Sequence, residues 1–232
     1  MNATLLAIVL PTVLVVTATA GYRHESIEIA ERVIGDIAQR TGAFQVRYVR
    51  TEDELPAALS ATALRGVRTV LFVNTTGELA LPARHELLQW VAGGGSFVGV
   101  HSASDTWHEW PEYAAFLGGE FDSHPEEMTA YIVVKDAKHP ATTGLKSPHA
   151  LFEEYYVFRN FFADRVTVLL SMQETSQPLA WYRPHGTGRV FYTALGHRED
   201  VWTSPWFQQH LTGAIFWALG HEVGTRRRAV AR

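Results

Sequence analysis

Eleven histidines and no cysteine set the chemistry open to this 232-residue chain. Without a thiol there is no disulfide framework, no thiolate metal site and no cysteine nucleophile. Imidazole, carboxylate and hydroxyl remain. The most informative stretch is Gly93-Gly94-Gly95-Ser96-Phe97-Val98-Gly99-Val100-His101-Ser102. There an apolar strand ends in a histidine followed by a hydroxyl. In open α/β folds, ligands and catalytic groups sit just past the carboxyl end of a strand. Other apolar runs end in the same style. Thr12–Thr17 leads to Tyr22-Arg23-His24, Val67–Val73 to Asn74-Thr75-Thr76, and Arg189–Ala194 to Gly196-His197. If these strands are parallel, each hands its following loop to one rim, and His24, His101 and His197 arrive together. His124 and His139 each precede a proline, which favours extended or turn backbone. Glu153-Glu154 places adjacent carboxylates in the aromatic context of Tyr155-Tyr156.

These types suggest roles. An imidazole titrates near neutral pH, so His101 suits proton transfer, with His197 as a second acid/base or an orienting group. Asp105 is expected to fix the tautomer of a nearby histidine, and Glu154 to act as base or ligand. Tyr22, His24, Asn74, Thr75, Ser102, His124 and Trp107 are the expected substrate contacts. Imidazoles with a carboxylate also suit a borderline divalent cation such as zinc, with a position left open for substrate. The expected set is His101, His124, His197 and Glu154, although no local spacing such as H-E-x-x-H specifies it. His85, His108, His149, His185, His210 and His221 are read as structural. Trp107, Trp110, Trp181, Trp202 and Trp206 gather near these loops; flat rings suit a sugar's C–H patches, and core packing is the commoner fate of each.

The elements that must position these groups follow from apolar periodicity. Ile27, Ala30, Val33, Ile34, Ile37 and Ala38 recur at helical spacing up to Thr41-Gly42. Phe44–Val49 and Val67–Val73 read as strands, and Leu55, Leu59 and Leu64 as a short helix. A helix from Pro82 to Gly93 precedes the His101 strand, and another runs from about Ser204 to Gly220. The βαβ rhythm predicts a mostly parallel sheet with helices on both faces. Ala130–Val134, Val166–Leu170, Pro178–Tyr182 and Arg189–Ala194 add strands. The last two flank Arg183–Gly188 as an antiparallel hairpin.

One domain is expected over residues 11–221, with an N-terminal extension at 1–10 and a basic tail at 222–232 carrying Arg226-Arg227-Arg228. A net charge of -4 gives no electrostatic footprint for nucleic acid. The apolar run Leu5–Ala20 ends in Ala18-Thr19-Ala20 like a secretory leader. It lacks a preceding basic residue, is interrupted by Pro11 and is short for a membrane span. A buried parallel strand is the preferred reading, with a cytoplasmic, membrane-free protein; secretion is the alternative.

Several ordered blocks carry a resemblance. They include Tyr22-Arg23-His24, Phe72–Gly77, Gly93–Ala103 with Asp105-Thr106, Leu117–Phe121 with His124-Pro125, His139-Pro140, Glu153–Tyr156, Pro178–Trp181 and Gly186–Tyr192 leading to Gly196-His197. Over about residues 12–220 the chain resembles the ThuA-like, trehalose-utilisation family. The resemblance implies a three-layer α/β/α sandwich with a flavodoxin-like sheet, related to class I glutamine amidotransferases. His101 stands where those enzymes carry their cysteine, so glutaminase chemistry is not expected. It also implies work on trehalose or related disaccharides, alongside a sugar dehydrogenase that forms a 3-keto product. The expected partner is thus a small-molecule sugar, with homo-oligomerisation an option. The reaction expected is isomerisation, elimination or hydrolysis through histidine acid/base chemistry. The rivals are a metal-dependent hydrolase using the same histidines and a non-catalytic sugar-binding or scaffold domain.

Overall fold

The structure, a computed structural model, describes residues 9–221. The proposed basic tail and all but the last two residues of the proposed extension lie outside them. The first half alternates strand and helix: β1 (Thr12–Val16), α1 (Ile27–Thr41), β2 (Gln45–Val49), α2 (Leu55–Ala58), α3 (Ala61–Leu64), β3 (Val67–Val73), α4 (Arg84–Ala92) and β4 (Ser96–Val100). Strands dominate the second half: α5 (Pro111–Leu117), β5 (Glu120–Ser123), β6 (Met128–Val134), β7 (His149–Glu153), β8 (Val157–Arg159), β9 (Thr167–Met172), β10 (Pro178–His185) and β11 (Gly188–Thr193). Two helices, α6 (Glu199–Thr203) and α7 (Pro205–Leu219), close the chain.

Among the described residues nine strands form one sheet in the order β2-β1-β3-β4-β11-β10-β9-β6-β7, and β5 pairs with β8 in a separate ribbon. β2, β1, β3, β4 and β11 run parallel. From β10 onward every pairing is antiparallel. The sheet is therefore half parallel and half antiparallel, a correction to the mostly parallel sheet expected. The expected hairpin is real, and it is where the change of direction occurs. Its cause is local: the tight turn at Gly186 allows β11 to return beside β10, whereas parallel neighbours need a long crossover.

Each face of the sheet carries its own core. On β1, Val13 and Val15 join the side chains of α1 and α7, while Leu14 and Val16 join those of α2–α5. The strand is buried on both faces, so it reads as a continuous apolar run with two-residue alternation. That burial settles Thr12–Val16 as a strand within the described residues. No helix among them is long and apolar enough to cross a membrane. The β5–β8 ribbon, β7 and α6 were not visible in the sequence pattern, being short and largely polar or mixed.

Candidate functional site

The parallel strands β1, β3, β4 and β11 release their loops at one edge, and these loops are laced together by backbone. The amides of Ala20 and Gly21 donate to the Thr76 carbonyl, that of Gly77 to Asp105, and that of Trp107 to Gly77. Three successive loops thus form one collar. Gly77 has φ +76°, and a Cβ there would stand 2.7 Å from the Gly21 nitrogen, so the close approach requires glycine. Asn74 and His101, the first residues past β3 and β4, have φ +52° and +50°. Left-handed backbone is strained for such residues and persists only where surroundings enforce it. Around His101 they do. Its carbonyl accepts from Tyr192 Oη at 2.7 Å, and Tyr113 Oη donates to Ala103 within the same 3₁₀ turn, His101–Asp105.

His101, His24, His197 and Glu154 come together, each offering a donor atom within 4.8 Å of the others. His101 Nε2 lies 3.2 Å from His197 Nδ1 and 3.4 Å from Glu154 Oε2, and His197 Nδ1 is also 3.4 Å from that oxygen. The outward nitrogens fix the tautomers. His101 Nδ1 is 2.8 Å from the Ala194 carbonyl, which only accepts, so Nδ1 carries the hydrogen and Nε2 the lone pair. His197 Nε2 faces Glu127 Oε1 at 3.4 Å, which likewise turns a bare Nδ1 inward. His24 stands edge-on to both rings at 4.9 and 5.3 Å, with its Nδ1 3.4 Å from Ser102 Oγ.

Electrostatics favour the ligand forms of His24, His197 and Glu154. Burial, aided by the charges of His101, His197 and His124, drives the His24 pKa down to about 3. Burial and His101 also lower His197. Burial opposes ionisation of Glu154, but the surrounding imidazoles of His101, His197 and His124, which attract the carboxylate whenever they are protonated, outweigh it and lower its pKa. Its neighbour Glu153 is fully buried, and burial pushes it up to about 7. It accepts from the Glu154 and Gly196 amides at 2.9 Å each, fastening the His197 turn to the end of β7.

The remaining expected residues divide. His124 belongs to the cluster's margin, with Nδ1 3.1 Å from Glu154 Oε1 and its side chain 43% exposed. Tyr22 stands exposed at the rim, edge-on to His24. Ser102 touches His24, as above. Asn74 is wholly buried and donates to Ser26 Oγ and the Gly196 carbonyl, so it ties loops together. Three stand away from the central cluster. Thr75 is buried against Thr106. Trp107 is a core residue whose Nε1 donates to Leu79, beside Phe72 and Tyr113. Asp105 does meet a nearby histidine, His108 at 2.6 Å, which lies outside the central cluster.

Sequence reasoning missed Tyr156, whose hydroxyl donates to His101 Nε2 at 2.9 Å. It also missed Glu127 and Arg198, joined by an ion pair at 2.6 Å. Tyr156 sits in the same block as Glu154, a signal that was available; Glu127 has none. Beside His197 lies a cavity of about 340 Å³ lined by Tyr22, Ser26, Glu127, Arg198 and Asp200 among others. That is within the range of small-molecule sites, at its lower end.

Imidazoles delivered past the parallel strands β1, β4 and β11 thus meet a carboxylate delivered past β7, at the edge where open α/β sheets carry their ligand sites. The trehalose-utilisation family model, ThuA, matches residues 12–218, and the chain belongs to that family. Among solved structures, a ThuA-like protein from Bacteroides uniformis aligns over 94% of this chain and 95% of its own at 19% identity and TM-score 0.74. One from Parabacteroides merdae covers 92% of each chain at 17% identity and TM-score 0.74. A beta-galactosidase from Bacillus circulans aligns over 91% of this chain but 31% of its own, at 15% identity and TM-score 0.62. At such identities the likeness is one of fold. The comparison with curated proteins gives no match.

Proposed function

We propose that this ThuA-family chain is a carbohydrate enzyme acting on a disaccharide or 3-keto-sugar at a divalent-cation centre built from His24, His101, His197 and Glu154. The observation that carries the reading is the spacing of the donors. Around a tetrahedral zinc with bonds of about 2.0–2.2 Å, neighbouring ligand atoms stand about 3.3–3.6 Å apart. Among His101, His197 and Glu154 the separations are 3.2, 3.4 and 3.4 Å, and His24 brings a donor atom within 4.8 Å of them. Two bare ring nitrogens and a carboxylate oxygen held this close repel one another unless a positive charge sits among them. The Ala194 carbonyl and Glu127, bonded to the outward nitrogens, are the kind of partners that orient ligating histidines.

We take the sheet with a core on each face as a three-layer α/β/α sandwich, and the parallel order β2-β1-β3-β4-β11 as flavodoxin-like, a fold that supports a site at these strand tips. In this reading His124 is the outer acid/base. Its Nδ1 faces both Glu154 Oε1 and the Pro125 carbonyl, so Nε2 carries the lone pair. A bound cation that accepts a fifth ligand beside these four would polarise a sugar carbonyl or acidify a water. A carbonyl at C3 acidifies the neighbouring C–H, and His124 then takes that proton. A sugar dehydrogenase would supply such a substrate.

One observation favours a second reading. Tyr156 already donates to His101 Nε2, which suits metal-free proton transfer through His101. Elemental analysis, with turnover of keto-disaccharides before and after chelation, separates the two. The leading reading expects one cation per chain and activity lost on chelation and restored by zinc or manganese. Turnover unaffected by chelation moves the chemistry to His101. Saturable sugar binding without product leaves a binding domain and ends both.

A further inference from the structure

Outside the central cluster the structure holds a second set of charged groups. His108 lies 2.6 Å from Asp105 Oδ1 through Nε2 and 2.6 Å from Glu120 Oε1 through Nδ1. A ring that meets a carboxylate at both nitrogens donates at both only as imidazolium. Asp105 ends the turn that carries His101, whereas Glu120 begins β5. From the partner strand, Arg159 at the end of β8 donates to Glu120 Oε1 at 2.5 Å, and Asn160 donates to Oε2 at 2.8 Å. The ribbon pairs Glu120 with Arg159 at this end and Ser123 with Val157 at the other. The far end is the functional one, because His124 follows Ser123 and Tyr156 precedes Val157.

We propose that His108 is a positioning residue: clamped between Asp105 and Glu120, it bolts the β5–β8 ribbon to the His101 turn and thereby sets where Tyr156 and His124 stand over the site. The proposal rests on the central cluster being the reactive centre. Burial disfavours the His108 charge, but the hydrogen bonds and charges of Glu120 and Asp105 outweigh it and raise its pKa. The clamp is therefore complete at low pH and opens as pH rises through that raised value. The weak point is defined. Arg159 Nη2 lies 3.0 Å from His108 Nδ1, so a neutral ring accepts from Arg159, keeps Nε2–H on Asp105 and loses Glu120. No other charged group is needed to account for this, since Asp105, Glu120 and Arg159 face the ring from the turn and from both ribbon strands.

The test uses the full chain with two substitutions. His108→Phe keeps a ring and removes both donors; His108→Lys keeps a cation with several donors and does not titrate near neutral pH. Amide hydrogen exchange is followed over residues 101–105, 120–124 and 156–159, with α7 as the reference. In His108→Phe, exchange in those segments is expected to rise about tenfold to a hundredfold, with α7 unchanged. In the native chain the same segments lose protection relative to α7 above the His108 pKa, read by NMR titration of its ring, and His108→Lys abolishes that relative loss. Turnover of the keto-disaccharide should follow the same pattern through kcat rather than KM. Unchanged ribbon exchange in His108→Phe, or a rise that extends equally to α7, overturns the proposal. If the native protein turns over no sugar, the functional reading fails while exchange still decides the clamp.

Discussion

Supplying zinc to chelator-stripped protein is the most demanding perturbation of the proposed centre. A tetrahedron's edge is about 1.63 times its centre-to-vertex distance, so donor separations of 3.2–3.4 Å imply metal bonds of about 2.0 Å. X-ray absorption should show that distance with nitrogen and oxygen only, since the chain has no cysteine. The four donors lie on segments from His24 to His197, so the unfolded chain holds no comparable chelate and binding accrues to the folded state. At a hundred times Kd this stabilises the fold by about 2.7 kcal/mol. For a chain of this size that corresponds to roughly 5–11 °C in Tm. His101→Ala and Glu154→Ala should remove the shift, whereas His124→Ala should retain it, because His124 touches Glu154 without joining the four. A first shell longer than about 2.3 Å, or a shift that survives His101→Ala, refutes the geometry.

Two further outcomes test the scaffold. Gly213 lies inside α7, where alanine ordinarily stabilises by about 1 kcal/mol; here a Cβ would stand 2.0 Å from the Pro140 carbonyl oxygen. Gly213→Ala should therefore destabilise by about 1–3 kcal/mol in urea denaturation. Burial works against ionised Glu120, but Arg159, His108 and Asn160 together pull its pKa down to about 2. Its contribution is present above the ordinary carboxylate range and lost as pH falls through about 2. Glu120→Gln should flatten the acid limb of a stability–pH curve measured from pH 6 to pH 2.

The parallel half of the fold was legible because its strands are buried on both faces. Val13–Val16, Val70–Val73 and Phe97–Val100 are uninterrupted runs without a polar side chain, and each lies in a strand. The convergence of His24, His101 and His197 followed from that parallelism alone. The antiparallel half was harder to read. β7 alternates half-buried and exposed residues, and β8 is three residues long, so neither has a distinctive pattern. The same limit explains the misplaced side chains. A 3₁₀ turn after β4 sends His101 and Asp105 in opposite directions, and Trp107, near in sequence, is carried into the core by left-handed backbone at φ +57°. Adjacent Glu153 and Glu154 looked equivalent; one faces backbone amides and the other the histidines.

The collar joining the loops after β1, β3 and β4 is made of amide-to-carbonyl bonds, which do not depend on the identity of the side chains around it except at Gly77. Residues at its rim can therefore be exchanged while the scaffold beneath keeps its shape. Relatives with under a fifth of their residues in common superimpose over nearly their whole length, as such a mount permits. Reagents for new reactions would best be grafted at positions 22 and 124, which are open to solvent, sparing Gly77, whose backbone closes the ring.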